Sequence, residues 1–211
     1  MKKDSSKTGL FFGSFNPIHL GHLMIASYMI EFTDIQDVWF IISPHNPLKE
    51  KSTLLPDVNR LYMVNVAVED EPRFKASNIE FHLPQPSYTI DTLTYIQEKY
   101  STHEFVLLAG ADILPSFHKW KNWEQLLSQY KFYIYPRCEE SRHRHDDEAT
   151  PSANQANTIY SHPSLTFIPA PRVEISASFI RNSIREGKDM QYFLPAKVWK
   201  YIDEMGFYRL G

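Results

Sequence analysis

The sequence of 211 residues predicts an α/β fold, a parallel sheet with helices on both faces, and two observations lead there. Short apolar runs alternate with helical patterns along the chain. The runs "DVWFII" and "EFVLLAG" are apolar almost throughout, as strands covered on both faces must be.

In chain order, "LFF" reads as a short buried strand ending at Gly13, and Leu23, Ala26 and Ile30 follow at helical spacing. "DVWFII" is a second strand running into the proline-marked loop "SPHNPLK". "PDVNRLYMVNVAVED" is an amphipathic helix with Asp57 as its cap. "FKASNIEF" reads as a strand, "SYTIDTLTYIQEKY" as a helix capped near Ser87, and "EFVLLAG" as a buried strand ending at Gly110. "NWEQLLSQY" and "KFYIYPR" add a helix and a strand, and "LTFIP" a last strand. "ASFIRNSIREG" and "AKVWKYIDEMG" close the chain as helices stopped by Gly187 and Gly206. No internal repeat is found. Residues 1–211 read as one domain, with 137–161 a polar surface loop that lacks periodicity.

Composition narrows the function. A hydrophobic content of 43% suits a buried core, and a net charge of -3 offers no field to hold a nucleic acid. Any nucleotide must be gripped locally. The single cysteine, Cys138, cannot form an internal bridge, and "MKKDSSKTG" lacks the apolar centre of a secretory signal, so a cytoplasmic location is expected. No apolar run is long enough to span a bilayer.

In such sheets ligands lie beyond the carboxyl ends of the strands. Gly13 is not followed by the spaced glycines of a dinucleotide fingerprint, and no phosphate loop ending in Gly-Lys-Ser/Thr occurs. Asn16 and Pro17 instead suit the start of a helix, whose free N–H groups attract anions. His19 and His22 of "HLGH" are placed to donate to phosphate oxygens there, with Gly21 leaving space for the ligand. Taken alone, the pair reads as well as surface or capping histidines. A zinc site lacks both the helical protease glutamate and a third ligand. Near the other end, Ser176 and Ser178 open a helix with Arg181 in its first turn, a second anion cradle; alone, Arg181 and Arg185 equally suit a solvated basic stripe.

Together "GSFNPIHLGH" and "ISASFIR" resemble the HxGH and ISSxxxR-type signatures of the nucleotidyltransferase superfamily. "PSYTIDTL" and "GADILPSFHKWKNW" are similar to segments of bacterial nicotinate-nucleotide adenylyltransferases, so the likeness runs from Gly9 to the final helix. The resemblance implies a Rossmann-like sheet of the nucleotidyltransferase type. It also implies transfer of AMP from ATP to nicotinate mononucleotide, giving deamido-NAD and pyrophosphate, with Mg2+ accompanying the ATP. On this reading His19, His22 and Arg181 hold the triphosphate. Gly13, Ser14 and Phe15, with the helix end at Ser176 and Ser178, supply backbone contacts to ATP, and Asp112 lies near its ribose.

For the acceptor, the resemblance implies that Lys49 approaches its phosphate, that Thr89 or its neighbours donate to the nicotinate carboxylate, and that Trp120 stacks on the pyridine ring. By residue type alone Lys49 is a solvated loop lysine, Thr89 a first-turn helix residue, and Trp120 and Trp123 core or interface aromatics. Two departures from the family pattern stand out. Phe12 occupies a usual glycine position, and "SRHRHDDEATPSANQAN" is a segment many relatives lack; its "HRHDD" is assigned no metal.

The acceptor's phosphate monoester, with a second pKa of about 6, is already mostly dianionic, so no general base and no covalent enzyme intermediate are expected. Rival readings are an adenylyltransferase for nicotinamide mononucleotide, phosphopantetheine or flavin mononucleotide, and a nucleotide-sensing module without turnover. A homo-oligomer is open, with the Tyr88–Tyr100 helix as a candidate interface.

Overall fold

The computed structural model describes residues 6–44, 54–137 and 159–209. Six strands, β1 (Lys7–Gly13), β2 (Asp37–Ile42), β3 (Phe74–Ser77), β4 (Glu104–Gly110), β5 (Lys131–Tyr135) and β6 (Leu165–Phe167), form one sheet in the order β3-β2-β1-β4-β5-β6. Every pairing is parallel. The chain runs outward from β1 to β3 and then returns to place β4 against the free side of β1. The order therefore reverses between β1 and β4, and the crevice for a ligand opens where those strands end, at Gly13 and Gly110.

Alternate residues of each strand feed two cores. Phe11, Val38, Phe40, Ile42, Val106 and Leu108 pack on one face with α1 (Leu20–Phe32), α2 (Asp57–Val68), α5 (Ala177–Arg185) and α6 (Ala196–Met205). Leu10, Trp39, Ile41, Leu107, Phe132 and Ile134 pack on the other with α3 (Thr89–Lys99) and α4 (Trp123–Gln129). With apolar side chains on both faces, register rests on their fit, each fully buried Leu, Ile or Phe contributing about 1.5–3 kcal/mol.

Several local readings change. The strand read from "FKASNIEF" ends at Ser77, and Ile79–His82 turns as a 3-10 helix. Asp57 is the first residue of α2, not its cap, and its carboxylate goes to Arg60. Ser87 precedes α3 but does not cap it, because Tyr88 holds the cap position with extended backbone. Ala111–Lys119, directly after β4, winds into a long 3-10 turn that brings Trp120 to its end. Gly206 stops α6 as expected: its φ of +64° lets the Phe207 N–H reach back to the Ile202 carbonyl at 3.0 Å, which turns the last residues back onto the molecule. Among the described residues no helix is long and apolar enough to cross a membrane.

Candidate active site

The turn between β1 and α1 carries the first motif, and its backbone is unusual. Phe15 is 2% exposed with φ at +44°, a left-handed conformation that costs a side-chain-bearing residue about 1–3 kcal/mol. Its ring is the reason Gly13 is a glycine: a Cβ there would lie 2.8 Å from the Phe15 Cζ. The Phe15 ring in turn meets His22 edge-on, centroids 5.1 Å apart.

A residue to which the sequence reading gave no site role holds this turn in place. Arg60 is 0% exposed, and each of its five N–H groups has a partner. Nε donates to the Leu55 carbonyl at 3.0 Å; Nη1 donates to the carbonyls of Ser14 at 2.6 Å and Ser43 at 2.8 Å; Nη2 donates to the Pro44 carbonyl at 3.0 Å and to Asp57 at 2.6 Å. Burial lowers its pKa and Asp57 offsets only part of that, but an arginine starts so high that the guanidinium stays charged and locks the ends of β1 and β2 together. The Ser43 N–H adds a bond to the Gly13 carbonyl at 2.9 Å.

The two histidines stack face to face, centroids 3.7 Å apart, at the mouth of α1. The backbone N–H of His19 donates to Nδ1 of His22 at 3.2 Å, which leaves the His22 ring proton on Nε2. His19 is 3% exposed, and burial, with the nearby Arg137 cation, pushes its pKa down to about 3. At neutral pH it is therefore an uncharged ring offering a single N–H donor. Gly21 does not leave room for a ligand: a Cβ there would sit 3.0 Å from His19 Nδ1 and 3.1 Å from Val173 Cγ1, so its missing side chain admits protein.

The far end of the chain arrives at the same turn. Arg181, in the first turns of α5, donates from Nη1 to the Asn16 carbonyl at 2.8 Å and from Nη2 to the Ser178 hydroxyl at 3.2 Å. Ser176 caps α5 by accepting the Phe179 N–H at 3.2 Å, while Ser178 is already helical and serves Arg181. Arg185 faces outward. The structure thus brings His19, His22 and Arg181 together with Gly13, Ser14 and Phe15.

Across the crevice, Asp112 folds back over the end of β4, where a Cβ on Gly110 would lie 2.3 Å from its Oδ1. Its other oxygen pairs with Arg137 at 3.5 Å. Arg137 lies two residues past the end of β5, where a crevice residue belongs; that position was the available signal, and grouping it with the polar segment obscured it. Thr89 and Trp120 lie on neighbouring segments: Lys121 donates to Asp91 at 2.8 Å and sits 4.7 Å from the Tyr88 ring. Trp120 is half-buried, one face against Phe117 at 5.0 Å. Buried Glu80 accepts from the Thr92 hydroxyl at 2.7 Å, tying α3 to the 3-10 turn after β3. Lys49 and most of 137–161 lie outside the described residues.

A crevice at the switch point of a parallel sheet, lined by imidazoles and guanidinium groups from both ends of the chain, defines a nucleotide-binding α/β protein of the nucleotidyltransferase fold. The chain belongs to the cytidylyltransferase-like family, whose model matches residues 10–183. It is 50% identical over 203 residues, 96% of this chain and 99% of the relative, to a Flavobacterium johnsoniae protein named "Probable nicotinate-nucleotide adenylyltransferase". A Bacteroides thetaiotaomicron protein of the same name is 40% identical over 198 residues, 94% of this chain and 91% of its own. Among solved structures, the Plasmodium falciparum nicotinic acid mononucleotide adenylyltransferase complexed with NaAD superposes with a TM-score of 0.75, covering 96% of this chain and 97% of that one at 19% identity.

Proposed function

We propose that the protein is a nicotinate-nucleotide adenylyltransferase, transferring AMP from ATP to nicotinate mononucleotide with release of pyrophosphate. The observation that carries this reading is the bond from Arg181 to the Asn16 carbonyl, which joins two motifs 165 residues apart in one crevice. The near full-length likeness to relatives of that name supports the acceptor.

In the reaction a phosphate oxygen of nicotinate mononucleotide forms a bond to the α-phosphorus of ATP as the bond from that phosphorus to the bridging oxygen breaks. The electron pair leaves with pyrophosphate. The acceptor phosphate is already dianionic, so the protein has no proton to remove, and its task is alignment and charge stabilisation. His22, donating through Nε2, and the neutral His19 supply N–H groups to the triphosphate; Arg181 supplies the permanent cation. The backbone of Gly13 to Phe15 and the Ser176–Ser178 helix end border it, Asp112 faces the ribose, and Thr89 and Trp120 receive the pyridine end, with Lys49 for the acceptor phosphate.

Among the described residues no group of three or more His, Cys, Asp or Glu side chains is gathered to hold a metal. Mg2+ belongs to this reading as the counterion that ATP would bring on its own phosphates, where it would neutralise part of their charge. The test is pyrophosphate release measured side by side with nicotinate mononucleotide, nicotinamide mononucleotide, phosphopantetheine and flavin mononucleotide. Nicotinate mononucleotide should lead in kcat/KM by tenfold or more. Preference for another acceptor would reassign the substrate, and ATP binding with no release from any acceptor would leave a sensing module.

A further inference from the structure

The turn that follows α6 reaches back to Asn16. After Gly206 reverses the backbone, Tyr208 adopts a left-handed φ of +65° and its hydroxyl donates to Oδ1 of Asn16 at 2.8 Å. Asn16 is 3% exposed and sits one residue beyond the strained Phe15. The same Oδ1 accepts the Leu55 N–H at 3.3 Å, and the Asn16 carbonyl is the acceptor for Arg181. Tyr208 also lies within electrostatic reach of both Arg60 and Arg181.

We propose that Tyr208 is a positioning residue for AMP transfer: its hydroxyl fixes the Asn16 side chain, and through Asn16 it holds the phosphate turn and Arg181 in one geometry. The inference rests on the reading that this turn receives the triphosphate. A tyrosine in left-handed backbone is costly, and nothing in closing a helix requires one there; what that backbone achieves is delivery of a phenol to a residue 192 positions away. Holding the Asn16 side chain restrains the residue whose main-chain carbonyl accepts Arg181.

Tyr208→Phe removes one oxygen and keeps the ring. The matched control is Tyr201→Phe, which removes a hydroxyl bonded to a different asparagine, Asn59 of α2, at 3.3 Å. Calorimetric binding of α,β-methylene-ATP, whose α–β bridge cannot be cleaved, reads the site without any acceptor. Tyr208→Phe should weaken that binding about fivefold and lower kcat about tenfold, with the KM for nicotinate mononucleotide within twofold, while Tyr201→Phe leaves all three unchanged. In an Arg181→Ala background the Tyr208→Phe effect should largely disappear, because both act through Asn16. Unchanged analogue binding and kcat in Tyr208→Phe, equal losses in the two tyrosine variants, or effects that multiply fully with Arg181→Ala would each overturn the proposal. Failure of the wild type to turn over nicotinate mononucleotide would instead strike the functional reading, and the analogue titration would still decide the role of Tyr208.

Discussion

Acid should destabilise this protein through His19. Its pKa, 6.5 when exposed, is held at about 3 in the folded state, chiefly by burial and then by Arg137. Between those values the unfolded chain binds a proton that the folded chain refuses, so stability is complete above about 6.5 and falls as the pH drops toward 3. Moving from pH 7 to pH 5 exposes about 1.5 units of that difference, a loss of about 2 kcal/mol from this one side chain. His19→Asn cannot titrate in this range. Urea unfolding of both proteins at pH 7, 6 and 5 isolates the contribution, because the variant's intrinsic destabilisation is common to every pH. The wild type should lose about 2 kcal/mol more than the variant over that interval. Parallel pH dependences would refute the reasoning, showing either that His19 is protonated in the folded protein or that its burial is relieved on acidification.

Two further outcomes concern the chemistry. His22→Ala removes a preorganised N–H donor and should lower kcat by about 10²–10³ with the fold intact by circular dichroism; a folded variant with near-normal turnover would contradict its role. Trp120→Ala should raise the KM for nicotinate mononucleotide several-fold more than that for ATP, since a ring stacked on a cationic pyridine contributes about 0.5–2 kcal/mol; steady-state kinetics showing equal changes would remove the stacking contact.

What the sequence made legible were features encoded by residue type. The apolar runs of β2 and β4 and the glycine stop at Gly206 are legible by residue type, whereas the motifs around His19 and Arg181 are legible only as a pair. The least visible features depend on partners with no sequence signature. Arg60 looks like any polar position on an amphipathic helix, yet four of its five bonds end on main-chain carbonyls, which any residue could provide. One glycine misled: Gly21, read as space for a ligand, instead accommodates His19 and Val173. Tyr208 was illegible because its partner lies 192 residues away.

These hidden partners explain how a loop can be held rigid. A turn with Phe15 at positive φ would relax if left to itself, given a strain of about 1–3 kcal/mol. Five hydrogen bonds oppose that: Arg60 to Ser14, Ser43 to Gly13, Arg181 to the Asn16 carbonyl, and Leu55 and Tyr208 to its side chain. At about 1 kcal/mol net each, they outweigh the strain. They originate on α2, the residue after β2, α5, the segment before α2 and the segment after α6, so no single local fluctuation releases the turn. Since AMP transfer in this reading needs no proton shuttled and no covalent intermediate, alignment is the main contribution the protein can make, and the convergence of these elements on Gly13 to Asn16 is how the fold makes it.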